Sequence, residues 1–419
     1  MRVLGLAFQS AWARRFTLSV TVLAIALASC LLLLMERVRH DTRLSFMESV
    51  SGVDLVVGPR SGAVALVLQS VFHVGSVPHA MSWQAHESLS QHPAVAWTVP
   101  LLLGDSLRGF PVVGTSPSYI EHVRHGDQQP IALAQGRAFA APFEAVLGHE
   151  VARRLRLQLG QAISLTHGLD ETHGVAHDDK PMTVVGILAP TGTPLDRTVL
   201  VSLASITAMH LDWMGGAPLP GMHIPLEHVR KFNLQPKELN AVLVGLHRRA
   251  DVFKLQRQIN ERPGEALQAV MPGVALDELW DMLAQFERSL QAMAWVVTAV
   301  GLAGLMATLL AGLNERRREL AVLRALGATP LSLMGLVMLE GVWVTLLGLG
   351  VGLVLMQVAL WLLSPWALAE MGIRLHMDWP SQGEWQLMGM VLLTGLVFSV
   401  LPGLRAWTMS LADGLMPRS

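Results

Sequence analysis

The chain has 419 residues, 52% of them apolar and only 15% charged, with a formal net charge of -1. Soluble globular domains carry about 25% charged residues, so this composition points to membrane segments. The absence of a basic excess excludes the usual footprint of a nucleic-acid-binding protein. A single cysteine, Cys30, excludes an intrachain disulfide and a cysteine-based zinc site.

Residues 1–15 place Val3, Leu4, Ala7 and Ala11 at helical spacing, with Arg14 and Arg15 behind them, as expected of a cytoplasmic amphipathic helix lying along a membrane. Residues 16–35 form an uncharged apolar run of the length that crosses a bilayer, about 20 residues. Within it, Leu27-Ala28-Ser29-Cys30 spells a lipobox-like tetrapeptide, the rival reading of this stretch. The apolar run continues through Met35, beyond any cleavage point, which favours a retained span over a leader.

Residues 36–288 mix short strand-like and helix-like pieces without a periodic repeat, an α+β domain. Asp54–Val57 ends at the turn signal Gly58-Pro59, and Ala94–Val113 reads as a hairpin broken near Gly104-Asp105. Ala145–Thr166 reads as strand, helix (about His149 to Leu157) and strand. Met182–Leu188 and Thr198–Val201 are β-rich, with Ser202 a helix cap toward His210. Ala241–Leu246 with a helix from Asp251 resembles one βα unit, and Leu276–Arg288 reads as a helix feeding directly into the next span.

In this region His167, Asp170, Glu171, His173, His177, Asp178 and Asp179 crowd together. Imidazoles and carboxylates at such spacing are candidate ligands for zinc, with His167, His173, His177 and Asp178 the set named here. The alternative is a solvated polar loop between strands. No Gly-x-Ser-x-Gly, His-Glu-x-x-His or cysteine-nucleophile motif is present, so nothing spells an enzyme. A phosphate-binding Gly-x-x-x-x-Gly-Lys loop is also missing, so any ATP and magnesium belong to another chain.

Three more apolar stretches follow. Residues 289–313 and 385–404 are uncharged, and residues 331–363 contain one ionisable side chain, Glu340. Small residues recur every fourth position: Gly304, Thr308 and Gly312 in one span, Gly348 and Gly352 in the next. Such faces let helices approach closely, within a subunit or between two. Glu340 is a structural or coupling group if it lies near the inner interface, and an ion-relay candidate if it lies deep.

Arginine placement sets the orientation. Arg2, Arg14 and Arg15 precede the first span, Arg316, Arg317, Arg318 and Arg324 fill the loop 314–330, and Arg405 and Arg418 lie in the tail 405–419. The loop 364–384 holds only Arg374 against Glu370, Asp378 and Glu384. Both termini and the arginine loop are therefore expected in the cytoplasm, with 36–288 and 364–384 outside.

The loop Asn314–Pro330 carries the most information. Glu315, Arg318 and Glu319 stand at helical ion-pair spacing, Leu320, Leu323 and Leu326 share an apolar side, and Gly327 supplies a left-handed stop before Pro330. It reads as a docking helix for a soluble partner, or more simply as a hairpin rich in arginine. Glu315-Arg316-Arg317-Arg318-Glu319-Leu320 followed by Leu323-Arg324-Ala325-Leu326-Gly327-Ala328 closely resembles the segment after the second span of FtsX/MacB-like ABC transporter permeases. The similarity extends through Leu339-Glu340-Gly341, Leu401–Ala406 and Ala412–Leu415, and more weakly through Ala145–Leu159 and Val184–Leu188. Met409-Ser410 departs from the family's usual Asp-Pro.

The resemblance implies a bacterial inner-membrane α-helical protein of four spans with a large α+β extracytoplasmic domain between the first two. It also implies a second permease subunit, identical or not, two copies of a cytoplasmic ABC ATPase, and 314–330 as the coupling helix. In relatives the outer domain acts on exported lipoproteins or peptides or on a periplasmic partner. A rival from another class is a membrane-anchored periplasmic metal-binding sensor or chaperone that works without ATP.

Overall fold

The computed structural model of the chain describes residues 15–75, 79–168, 175–214, 217–218, 224–229, 231–371 and 373–408. The amphipathic segment expected at the N-terminus, His173, and the tail beyond Thr408 lie outside the described residues. The chain divides into a helical unit (Met1–Asp41, Ala284–Trp366 and Leu375–Ser419) and a sheet unit (Thr42–Leu283 and Ala367–Arg374).

Among the described residues, four helices are long and apolar enough to cross a membrane. They are Arg15–Ser49, Pro272–Glu315, Pro330–Met371 and Gln382–Thr408. Unbroken helix is the form in which a chain pairs every backbone N–H and C=O without help from solvent. The first and third outrun their apolar windows, reaching Ser49 and Met371 rather than ending at 35 and 363, so the stretch read as the loop 364–384 is much shorter. Hydropathy marks where lipid-compatible side chains stop, whereas backbone hydrogen bonding continues as long as helix-forming residues follow.

Within the helical unit the first and second helices run side by side. Ile25 packs with Leu302, Leu305, Leu309 and Val344, and Leu32 with Ala294, Leu349 and Val391. Thr21 and Thr308 share a hydrogen bond of 2.9 Å between hydroxyls. The third helix meets the first through its glycines. A Cβ at Gly348 would come within 2.6 Å of Ile25 Cγ2, and one at Gly352 within 2.8 Å of the Ala26 carbonyl oxygen. Only glycine permits that approach. Gly304, by contrast, has no atom within 4 Å of where its Cβ would stand, so it takes no part in packing within the described chain.

The sheet unit is built on a mixed sheet whose main path orders the strands Leu267–Val270, Leu55–Pro59, Ala241–Leu246, Val95–Leu107, Phe110–Thr115, Val199–Ser202, Glu144–Leu147, Met182–Leu188 and Leu133–Gly136. Val199–Ser202 runs parallel to Phe110–Thr115, and Met182–Leu188 parallel to Glu144–Leu147; the other neighbours are antiparallel. Side chains alternate between faces along each strand. Val56, Leu243 and Val270 join one core with Leu66 and Val67 of the helix Ala63–Phe72 and with Ala275 and Leu276. Leu55, Val57, Val242 and Val244 join another with Ala85, Leu89, Leu255 and Ile259 from the helices Trp83–Ser90 and Val252–Asn260. Burial on both faces explains why these strands read as unbroken apolar runs.

The hairpin expected to break at Gly104-Asp105 turns instead at Arg108-Gly109, whose φ angles of 46° and 77° are both positive. That is the two-residue geometry whose twist suits antiparallel strands. Gly104, with φ 144°, sits where the register against Phe110–Thr115 shifts between Leu103 and Asp105, a bulge inside the strand. Ser202 caps the helix Leu203–Met209 as its sequence predicts, accepting from Ser205 N at 3.1 Å.

His73 caps the helix Ala63–Phe72 in the left-handed conformation, with φ 56°. The residue as a whole is partly exposed, but its Nε2 is enclosed and has no hydrogen-bond partner among the described residues. Burial pushes its pKa down to about 4. A depressed histidine pKa means that the unfolded chain binds the proton more readily, so its contribution is full above about pH 6.5 and is lost as pH falls toward about 4. Acidification across that window is expected to cost up to about 3 kcal/mol of stability. Denaturant unfolding of the purified protein as a function of pH should show this slope reduced in His73→Asn, which tolerates the same backbone conformation.

Candidate functional site

After the second long helix, Arg317–Ala325 forms a short helix of its own, closed by Gly327 at φ 101°. The leucines of this segment separate. Leu320 is buried with Leu313, Leu333, Val337 and Ala406, and Leu323 packs partly against the same group. Leu326 is 80% exposed and Val322 54% exposed. Arg318, Glu319 and Glu315 also lie on the exposed side, Arg317 and Arg324 are partly covered, and Thr329 is exposed. The outward apolar group is therefore Val322 with Leu326, while Leu320 anchors the helix to its own bundle.

Arg316 and Glu340 form a two-pronged pair, Nη1 to Oε2 at 3.0 Å and Nη2 to Oε1 at 2.9 Å. A charge in an otherwise apolar helix is tolerable when paired in that planar geometry. Glu340 thus holds the junction before the short helix to the third long helix. Gly312 is buried.

A second fork, not anticipated from sequence, lies in the same unit. Arg37 donates Nε and Nη2 to the two carboxylate oxygens of Glu384, each at 2.8 Å, and its remaining N–H groups reach the carbonyls of His376, Asp378 and Trp379 at 3.3–3.4 Å. Both side chains are almost fully buried, at 3% and 0% exposure. Glu384 also completes a capping box, accepting from Ser381 N while its own N–H bonds Ser381 Oγ at 3.4 Å. One turn along the first helix, Asp41 accepts from His376 N at 2.8 Å. Ser381-x-x-Glu384 was the available sequence signal for the cap; nothing local could pair Glu384 with Arg37.

In the sheet unit, a cluster of histidines gathers around the bulge. Asp105 faces His167 across the antiparallel pair with Thr166–His167, where directly opposed side chains share a face. His167 Nδ1 lies 2.9 Å from Asp105 Oδ1. His210, at the end of the helix Leu203–Met209, brings Nε2 to 3.2 Å from His167 Nδ1 and 3.5 Å from Asp105 Oδ1. His177 follows the strand Val175–Ala176 and is buried beside both, with Nε2 unpartnered. Trp213 packs its ring against all three imidazoles.

The hydrogen bond to Asp105 raises the pKa of His167. Burial, and then the neighbouring His210, lowers that of His177 to about 4. Nearby, Lys180 Nζ donates to Asp212 Oδ1 at 2.6 Å and to the Met209 carbonyl at 3.2 Å, both side chains buried, which braces the turn after His210. Burial opposes ionisation of Asp212, yet the bonds from Lys180 and Ile224 N hold it below the usual carboxylate range.

Of the ligand set read from sequence, His167 and His177 come together, His173 lies outside the described residues, and Asp178 is exposed outside the cluster. Asp105 and His210 were missed because they are remote in sequence, and neighbour spacing carries no information about which strand or helix end packs beside the histidines.

Four helices long and apolar enough to cross a membrane, joined to an α+β unit, define a membrane protein carrying a folded domain. Residues 16–262 match the family model of the MacB-like periplasmic core domain, and residues 292–411 that of the FtsX-like permease C-terminal. The chain belongs to the FtsX/MacB-like ABC transporter permease family. Among solved structures, it is similar to the periplasmic region of MacB from Actinobacillus actinomycetemcomitans, with 8% identity, a TM-score of 0.34, and coverage of 56% of this chain and 97% of that one. It is also similar to the extracellular domain of the noncanonic ABC-type transporter YknZ from Gram-positive bacteria, with 13% identity, a TM-score of 0.30, and coverage of 52% and 98%. A comparison with curated proteins gives no match.

The Arg37–Glu384 fork gives a direct test of what holds the helical unit together. Glu384→Gln leaves a buried guanidinium without its counter-charge and should destabilise the protein by about 3–5 kcal/mol. Arg37→Met with Glu384→Leu removes both charges and should recover most of the loss. Thermal unfolding in detergent checks the pair, and equal damage in both variants would show that the fork is not the source.

Proposed function

We propose that the chain is the transmembrane subunit of an ABC transporter that pairs with a second permease subunit and passes motion from a cytoplasmic ATPase to its sheet unit. The observation that carries this reading is the short helix Arg317–Ala325, which is anchored by Leu320 and by the Arg316–Glu340 fork yet presents Val322 and Leu326 outward. A rigidly held helix with an exposed apolar tip and arginines around it has the chemistry of a docking element. The second long helix, Pro272–Glu315, ends one residue before it, so a displacement of the docking helix acts directly on that element.

On this proposal the arginine-rich loop and both termini are cytoplasmic, and the sheet unit lies outside, between the first two spans. Its substrates are exported or periplasmic species such as lipoproteins or peptides. Apolar side chains dominate all four helices, which favours transmission of motion over a polar conduit. The exposed Gly304 leaves a close-packing face for the partner permease. A second reading, an anchored metal sensor working without ATP, draws on the histidine cluster and predicts activity that survives loss of the docking helix.

Leu326→Asp should weaken ATPase binding by roughly 2 kcal/mol or more while membrane insertion is unchanged. Copurification of the two subunits and the ATPase rate of the complex read this out, and an unaltered complex would reduce 314–330 to a hairpin. For topology, single cysteines at Gln91 and Thr329 in a Cys30→Ser background should differ. A membrane-impermeant thiol reagent added outside should label the first and spare the second; the reverse pattern inverts the orientation.

A further inference from the structure

We propose that Asp105, His167, His177 and His210 form a binding site for a divalent cation of the zinc class. This inference stands apart from the permease reading, because it concerns only what these side chains hold. Their donor atoms all lie within 4.8 Å of one another. An ion bound tetrahedrally at about 2.0–2.1 Å spreads its ligands about 3.3 Å apart. The three measured separations among Asp105, His167 and His210 are 2.9, 3.2 and 3.5 Å. Three imidazoles and one carboxylate are a donor set that suits zinc better than magnesium or calcium, which prefer oxygen.

The tautomers point the same way. His210 Nδ1 lies 2.9 Å from the carbonyl oxygen of Ile206, which can only accept, so Nδ1 carries the hydrogen. In the neutral ring Nε2 then presents a lone pair to His167 Nδ1 and to the Asp105 carboxylate. Two electron-rich groups 3.5 Å apart repel unless a cation or a proton stands between them. A backbone carbonyl that fixes the far nitrogen is the usual outer support of a metal-bound histidine.

His177 supplies the second, independent observation. It is 1% exposed, and its Nε2 has no hydrogen-bond partner among the described residues. Buried imidazole nitrogens ordinarily find one, and an orphan beside three other metal-ligating groups calls for an occupant. The bulge at Gly104 aims Asp105 into the group, and a cleft of about 630 Å³ lined by Asp105, His167, His210 and Trp213 gives an ion its way in. A bound ion would tie together the bulged strand Val95–Leu107, the strand Thr166–His167 and the end of the helix Leu203–Met209.

The test uses the full-length protein in detergent, stripped with a chelator and titrated with Zn²⁺ by calorimetry. One ion per chain and a raised Tm are expected, with no such response to Mg²⁺. Co²⁺ in place of Zn²⁺ should give the strong visible bands of a tetrahedral site. The double substitution His177→Ala with His210→Ala should weaken Zn²⁺ binding by at least roughly 100-fold. Should that variant fold poorly, His210→Gln, which keeps a polar group of similar size, should still abolish the tetrahedral Co²⁺ spectrum. The proposal is overturned if the wild-type protein shows no saturable Zn²⁺ binding, or if the substituted proteins bind as tightly or keep the spectrum.

Discussion

A guanidinium taken out of water must find acceptors in its own plane for its N–H groups, and that requirement organises the helical unit. Arg37 meets it with both oxygens of Glu384 and three backbone carbonyls, so the first helix, the segment before the last helix, and the last helix's own N-terminus are fixed by one side chain. Arg316 and Glu340 make a second fork between the end of the second helix and the third through Nη1 and Nη2, while the Arg316 Nε has no partner among the described residues. Apolar contacts between helices are non-directional, and small residues such as Gly348 and Gly352 permit closeness without dictating register. The two forks supply direction.

The sheet unit solves a different problem, how to bring remote side chains to one point. Its bulge at Gly104 turns Asp105 toward a histidine on the neighbouring strand, and the capped helix from Ser202 delivers His210 to the same place. The buried Lys180–Asp212 pair then holds the following turn. Each device is ordinary alone. Together they give a dense imidazole cluster in a unit otherwise filled by Val, Leu and Ile.

How much of this was legible follows from the range of the forces involved. The long apolar helices, the α+β character of the sheet unit, and the cap at Ser202 are local properties, and the sequence patterns located them. So was the short helix after the second span, although its leucines divided between anchoring and exposure once Leu320 met Leu313 and Ala406. The hairpin turn was misplaced because Gly104 carries the same signal as a turn glycine, and only the pairing register shows that it is a bulge. Half of the histidine cluster was visible as neighbours in sequence; Asp105 arrives through strand pairing and His210 at the end of a helix, and spacing along the chain encodes neither. The Arg37–Glu384 fork was illegible because it joins two helices far apart in the chain.

The order of strands has a consequence for how the domain comes into being. Leu55–Pro59 has the strands Ala241–Leu246 and Leu267–Val270 as its two neighbours, so the earliest strand made is completed by the last two. Contacts this distant along the chain carry a large loop-closure cost and slow folding. The growing polypeptide must therefore keep an apolar strand with two open edges until nearly the whole domain has been synthesised. Such edges are the natural targets of holding chaperones, and this exposure during synthesis is written into the topology rather than into any one residue.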